Sequence, residues 1–211
     1  MLMAILCLSA CSTKTQVKSE VVEKEAEEKK LDGLEKSVFA SGCFWCVEAV
    51  FESVEGVSEA ISGYAGGNAS DANYPAVSAG RTDHAEAVEV YYNPEIIDYK
   101  TLLVVFFASQ DPTTLNRQGP DRGTQYRSAI FYKNDEEKEL AEKYIAQLTA
   151  DKVFSGPITT TLEELTTFYP AEDYHQDFEK RNPNQGYVKA VSVPRLKRFQ
   201  KKHPELLKKE H

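Results

Sequence analysis

Two cysteines stand three positions apart in "SGCFWCVEAVF": Cys43 and Cys46, with Phe44 and Trp45 between them. A cysteine that follows glycine and opens a helix faces unpaired backbone N–H groups, which favour thiolate over thiol. Cys43 is therefore a candidate nucleophile. At helical spacing i and i+3, Cys46 shares its face and lies within the span a disulfide accepts. The two read together as an attacking and a resolving thiol. Three other readings compete. A lone buried cysteine is ordinarily a small hydrophobe. Zinc takes four N or S ligands, but there is no second Cys-x-x-Cys pair, and His84, His175, His203 and His211 are scattered. No metal is expected. A thioredoxin-like disulfide exchanger also uses Cys-x-x-Cys at a helix start. Two large rings between the thiols suit a pocket for an apolar group better than the docking of a partner's disulfide.

The second chemical group comes from "HAEAVEVYYN". Strand alternation puts Glu86 on the face of Val88, Val90 and Tyr92, and Glu89 on the other face with Ala87 and Tyr91. A carboxyl among apolar side chains keeps its proton to higher pH, which suits a general acid. The alternative is an exposed glutamate at a strand end. Tyr74 and Tyr126 each offer a phenolic O–H, and Asp121 lies in "GPDRGTQY". Taken singly these are packing aromatics and a turn residue.

Positioning these groups falls to a regular run of elements. "SVFAS" reads as a strand, "CFWCVEAVFESV" as a helix, and "VSEAISGYAGG" and "AEAVEVYYN" as two strands. "YKTLLVVFFAS" follows as a buried helix and "QYRSAIFYK" as a strand. "DEEKELAEKYIAQLTA" is an amphipathic helix with acids in its first turn. "ITTTLEEL" reads as a last strand, and "EDYHQDFEKRN" as a surface helix. A β-α-β-β-α-β order predicts an α/β (α+β) two-layer sandwich: a ferredoxin-like split βαβ core, with a mixed sheet and helices packed on it. Two long connections, "GGNASDANYPAVSAGRTDH" and "SQDPTTLNRQGPDRGTQ", are rich in turn residues and are expected to carry function.

The 211 residues suffice for one domain with tails, and a net charge of −8 argues against nucleic-acid binding. The basic stretch "RLKRFQKKHPELLKK" reads as a solvated amphipathic helix. At the N-terminus a short apolar run ends in Leu8-Ser9-Ala10-Cys11, the pattern of a bacterial lipoprotein signal. Residues 1–10 are then a signal peptide, Cys11 the lipidated residue and 11–36 a charged tether. Residues 37–211 form the folded domain. Removal of Cys7 and lipidation of Cys11 leave Cys43 and Cys46 as the only thiols, in an envelope compartment where a disulfide persists. The protein is expected to be anchored to a membrane rather than inserted in it, and to be a monomer.

"GCFWCVEAVF", "GYAGG", "NYPAVSAGRTDHAEAVEVYYNP", "DPTTLNRQGPDRGTQYRSAIFY" and "YHQDFEKRNPNQGY" occur in an order that resembles the peptide methionine sulfoxide reductases of the A type. The resemblance runs from about Val38 to Val193. It implies that Cys43 attacks the sulfoxide sulfur while Glu86 protonates the departing oxygen. It further implies that Tyr74 and Tyr126 hold that oxygen, that Phe44 and Trp45 wall the methyl pocket, and that Asp121 helps position substrate. The S epimer of methionine sulfoxide, in proteins and peptides, is the implied substrate. A sulfenic acid on Cys43 is the implied product on the enzyme. Many members have Gly at position 46 and resolving cysteines near the C-terminus; this chain has Cys46 and no later cysteine. Cys46 is therefore expected to close a disulfide with Cys43, for reduction by a thioredoxin-like dithiol. Direct reduction of the sulfenic acid by a small thiol is the alternative. No organic cofactor is expected.

Overall fold

Residues 33–209 are described by a computed structural model. The expected signal segment, Cys7, Cys11 and the tether as far as residue 32 lie outside the described residues. Strand β1 (Glu35–Ser41) leads through Gly42 into helix α1 (Phe44–Glu52), then strand β2 (Val57–Ala65). A short helix α2 (Tyr74–Val77) breaks the first long connection before strand β3 (Ala85–Tyr92). Helix α3 (Tyr99–Ala108) follows, then a two-residue ladder of β4 (Arg117–Gln118) and β5 (Asp121–Arg122) within the second long connection. Strand β6 (Ser128–Tyr132), helix α4 (Asp135–Ala150), and strands β7 (Thr161–Glu164) and β8 (Phe168–Pro170) come next. The chain closes with helix α5 (Phe178–Arg181) and helix α6 (Val193–Lys202).

The sheet runs β7-β6-β1-β3-β2-β8. Its four central strands, first to fourth of the expected motif, take the spatial order fourth, first, third, second, all antiparallel. This is the split βαβ arrangement. β7 adds in parallel to β6 and β8 antiparallel to β2, which makes the sheet mixed. Helix starts follow their side-chain caps. Asn73, Asp98 and Asn134 accept from the N–H of Ala76, Thr101 and Glu137, each satisfying a donor that the first helical turn leaves free. The main core lies between the sheet and α1 and α3. Phe39 stacks on Phe51 at 5.1 Å between ring centres and leans on Phe106 at 5.4 Å. The opposite face of the sheet is lined by small residues, Ala40, Ala65, Ala85, Ala87 and Ala129, covered from the segment that holds Leu165 and Phe168.

Glu89 is buried like Glu86, because β3 is central and covered on both faces; its side chain accepts from the Tyr91 hydroxyl and pairs with Lys36. Three expectations need correction. "EDYHQDFEKRN" is not one surface helix. It is a tight turn, Asp173–His175, then α5, separated by Asp177 at φ 51°, and His175 is buried. The basic C-terminal segment does form α6, but Arg195 points inward and is buried, its guanidinium donating to Ser41 and Ser109. Strand β1 also begins at Glu35, upstream of the expected Ser37. Among the described residues no helix is long and apolar enough to cross a membrane.

Candidate active site

Gly42 turns the chain from β1 into α1 at φ 85°, and a Cβ there would lie 2.5 Å from Cβ of Gln118. Only glycine combines that left-handed backbone with so close an approach, and the β4–β5 loop closes down on the turn. Cys43 is the residue that caps α1, and its carbonyl accepts from the N–H of Cys46 at 3.1 Å. Both cysteines are buried and neither is in a disulfide. The first free N–H of the helix, that of Phe44, donates to Glu86 Oε2 at 3.1 Å. The start of α1 therefore serves the acid as well as the thiol.

That arrangement shifts the two thiols in opposite directions. Burial pushes the Cys43 thiol well above its ordinary range, helped by its hydrogen bond to Cys46 and by the charge of Glu86; the Trp45 N–H opposes this only in part. Cys46 moves the other way, to about 6. The hydrogen bond from Cys43 lowers it, against burial, and Arg195, Ser192 and Tyr187 add to the effect.

Glu86 is 2% exposed. Burial raises its pKa to about 8, opposed by the Phe44 N–H and reinforced by the charges of Asp121 and Cys46. It is a neutral acid at pH 7. Tyr74 starts α2, and Tyr126 ends the tight turn before β6. Burial raises the Tyr74 phenol to about 12, with Glu86 and Cys43 the next causes. Tyr126 is raised by burial and by the same two groups. Both phenols lie within electrostatic reach of the thiol and the acid, and the upward shifts keep both as proton donors. Glu172 fixes one of them: it accepts from the Tyr74 N–H at 3.0 Å and from the Tyr64 hydroxyl at 2.8 Å. Asp121 accepts from the Tyr187 hydroxyl at 2.5 Å, and that hydroxyl lies 3.8 Å from Cys46 Sγ. The aspartate, in the β4–β5 loop, is thereby tied to the second thiol.

Phe44 and Trp45 form an apolar wall beside Cys43. Phe44 is fully buried and packs on Tyr74 at 6.4 Å and on His175 at 5.0 Å between ring centres. The Trp45 indole donates to His175 Nδ1 at 3.1 Å and stacks on Phe178 at 3.7 Å. Burial lowers the His175 pKa, so the ring is neutral and able to accept the indole proton.

All the expected site residues that fall within the described region come together here: Cys43, Cys46, Phe44, Trp45, Glu86, Tyr74, Tyr126 and Asp121. Cys11 lies outside it. His175, Phe178, Tyr187, Glu172 and Arg195 were given no role from sequence. "YHQDF" and "GY" were part of the resemblance, but no periodicity ties residues 172–195 to a turn at residue 42.

The comparisons agree with this geometry. A family model described as "Peptide methionine sulfoxide reductase" matches residues 35–207. A peptide methionine sulfoxide reductase of Chromobacterium violaceum is 48% identical, over 82% of this chain and 99% of its own. One from Rhodopirellula baltica is 47% identical, over 90% of this chain and 96% of its own. Among solved structures, reduced Mxr1 of Saccharomyces cerevisiae gives a TM-score of 0.67 at 36% identity, covering 72% of this chain and 88% of that one. Methionine sulfoxide reductase A of Corynebacterium diphtheriae gives 0.65 at 36% identity, covering 73% and 77%. A thiol at a helix start, a buried neutral acid hydrogen-bonded into the same turn, and a likeness that spans nearly the whole described domain lead to one assignment: the chain belongs to the peptide methionine sulfoxide reductase family.

Proposed function

We propose that the chain reduces methionine-S-sulfoxide in proteins and peptides to methionine, with Cys43 as nucleophile, Glu86 as acid and Cys46 as resolving thiol. The observation that carries this is the Phe44 N–H bond to Glu86. It fixes a buried, neutral carboxylic acid beside the nucleophile. In water a sulfoxide oxygen is a poor leaving group; protonation as the S–O bond weakens removes that obstacle.

In the first step Cys43 loses its proton toward Cys46, and its sulfur attacks the sulfoxide sulfur. Glu86 protonates the oxygen, and the Tyr74 and Tyr126 hydroxyls hold it. The substrate's S–O bond and the transient bond between the two sulfurs then break as the hydroxyl passes to Cys43. Methionine leaves, and Cys43 is a sulfenic acid. In the second step Cys46 attacks Cys43 sulfur, water departs, and a disulfide forms. An external dithiol of the thioredoxin kind then returns two electrons and two protons by thiol–disulfide exchange. The substrate's methyl group sits against Phe44 and Trp45. Preference for the S epimer rests on the family likeness.

The location reading rests on Leu8-Ser9-Ala10-Cys11. The chain is exported, cleaved before Cys11, and held at the cell envelope by lipid on that residue. The N-terminal peptide of the native protein, read by mass spectrometry, begins at lipidated Cys11 on this reading; retained residues 1–10 refute it. For the activity, each epimer of a methionine sulfoxide peptide is incubated with the enzyme and a dithiol. Consumption of the S epimer alone is expected, and equal consumption of both overturns the assignment.

A further inference from the structure

One buried acid is not used by this chemistry. Glu48 lies one helical turn beyond Phe44 on the inner face of α1 and is 2% exposed. Its Oε1 accepts from the Asp177 N–H at 2.5 Å, and its Oε2 bonds to the Ser62 hydroxyl. Ser62 in turn binds both ends of the Gln176 side-chain amide, its N–H donating to Oε1 at 2.9 Å and its carbonyl accepting from Nε2 at 3.0 Å. The segment around Gln176 and Asp177 is thus clamped to α1 and β2. Asp177 itself sits at φ 51°, a strained value for a residue with a side chain. That bend separates His175, which receives the Trp45 indole proton, from Phe178, which stacks on the Trp45 ring. The Lys180 ammonium lies 2.6 Å from Glu52 and 2.8 Å from Asp177, and Glu48 makes its two hydrogen bonds beside them.

We infer that Glu48 is a positioning residue for sulfoxide reduction: by holding the bend at Asp177 it presses His175 and Phe178 onto Trp45 and so shapes the apolar pocket. The inference rests on the reading of Phe44 and Trp45 as that pocket's wall. Burial raises the Glu48 pKa to about 8, opposed by the Ser62 hydroxyl, which donates to Oε2, and by the Asp177 N–H, which donates to Oε1. Glutamine keeps both contacts, its Oε1 accepting from Asp177 and its Nε2 donating to the Ser62 oxygen. Leucine can make neither.

Trp45 is the only tryptophan in the chain, so its emission reports directly on the pocket. For Glu48→Leu a red-shifted emission and at least about twofold stronger acrylamide quenching are expected. KM for a methionine sulfoxide peptide rises about tenfold, while the saturating single-turnover rate stays within about threefold, the pattern of lost ground-state binding. Glu48→Gln restores emission and KM. A folded Glu48→Leu protein with wild-type emission and KM overturns the inference. If Glu48→Leu does not fold, Ser62→Ala removes one of the two bonds and must shift emission and KM in the same direction; wild-type values there also overturn it. Trp45→Phe is measured beside them. An unchanged KM in that variant refutes the pocket reading and the kinetic half of the inference, whereas emission of Glu48→Leu still judges the clamp.

Discussion

Replacing Glu86 by Gln isolates the proton from the geometry. The amide oxygen can still accept from the Phe44 N–H, now at 3.1 Å from Glu86, so the turn and the pocket stay in place. What is lost is the acid. With a pKa of about 8, Glu86 is about 90% protonated at pH 7 and about 10% protonated at pH 9. General acid catalysis contributes ~10²–10⁴-fold, or about 3–5 kcal/mol of transition-state stabilisation. The second-order rate constant for methionine formation in a single turnover should fall by that factor at pH 7. The pH profile adds a sharper test. Both proteins gain rate as Cys43 ionises, but only the wild type loses its acid as pH rises through 8. The ratio of wild type to Glu86→Gln is therefore constant below about pH 7 and shrinks roughly tenfold per unit above 8. A variant within about threefold of wild type at pH 7, or a ratio that does not change between pH 7 and 9, refutes the role of Glu86.

Two further substitutions probe the thiols and their turn. In Cys46→Ser the first methionine still forms and a sulfenic acid persists on Cys43, open to capture by a cyclic dione. Cycling supported by a thioredoxin-type dithiol should fall by more than about tenfold, and undiminished cycling would return Cys46 to a bystander. Gly42→Ala forces a side chain into φ 85° against Gln118; a cost of about 1–3 kcal/mol is expected, read as a melting temperature lower by roughly 2–4 °C per kcal/mol. An unchanged melting temperature contradicts the close packing of the β4–β5 loop on this turn.

The parts of the site that were legible in the sequence are those governed by local rules. Glu86 was placed on the core face by alternation with Val88 and Val90, and α1 by its glycine and its apolar run. The order of elements was enough to give the split βαβ core. Alternation separates the two faces of β3 but does not tell that both are covered, so it says nothing of the burial of Glu89. The fate of 172–182 was missed because "EDYHQDFEKRN" has helical composition throughout, while its bend at Asp177 is held by Glu48, which is 129 residues earlier in the chain. The opposite shifts of the two thiols were not legible for a similar reason. A helix start favours a thiolate, yet here burial and a neighbouring acid outweigh it, and Arg195, Ser192 and Tyr187 bring their influence to Cys46 instead. Such contacts depend on how distant segments meet, which spacing along the chain does not encode.

The central claim is that two thiols and one acid complete a single reduction without outside electrons. Reduced enzyme mixed with excess methionine-S-sulfoxide peptide and no added reductant tests it directly. One methionine per enzyme is expected, with loss of the free thiols of both Cys43 and Cys46 and a peptide map that joins them by a disulfide. Methionine formed with Cys46 still free, or no methionine at all from the S epimer, would contradict it.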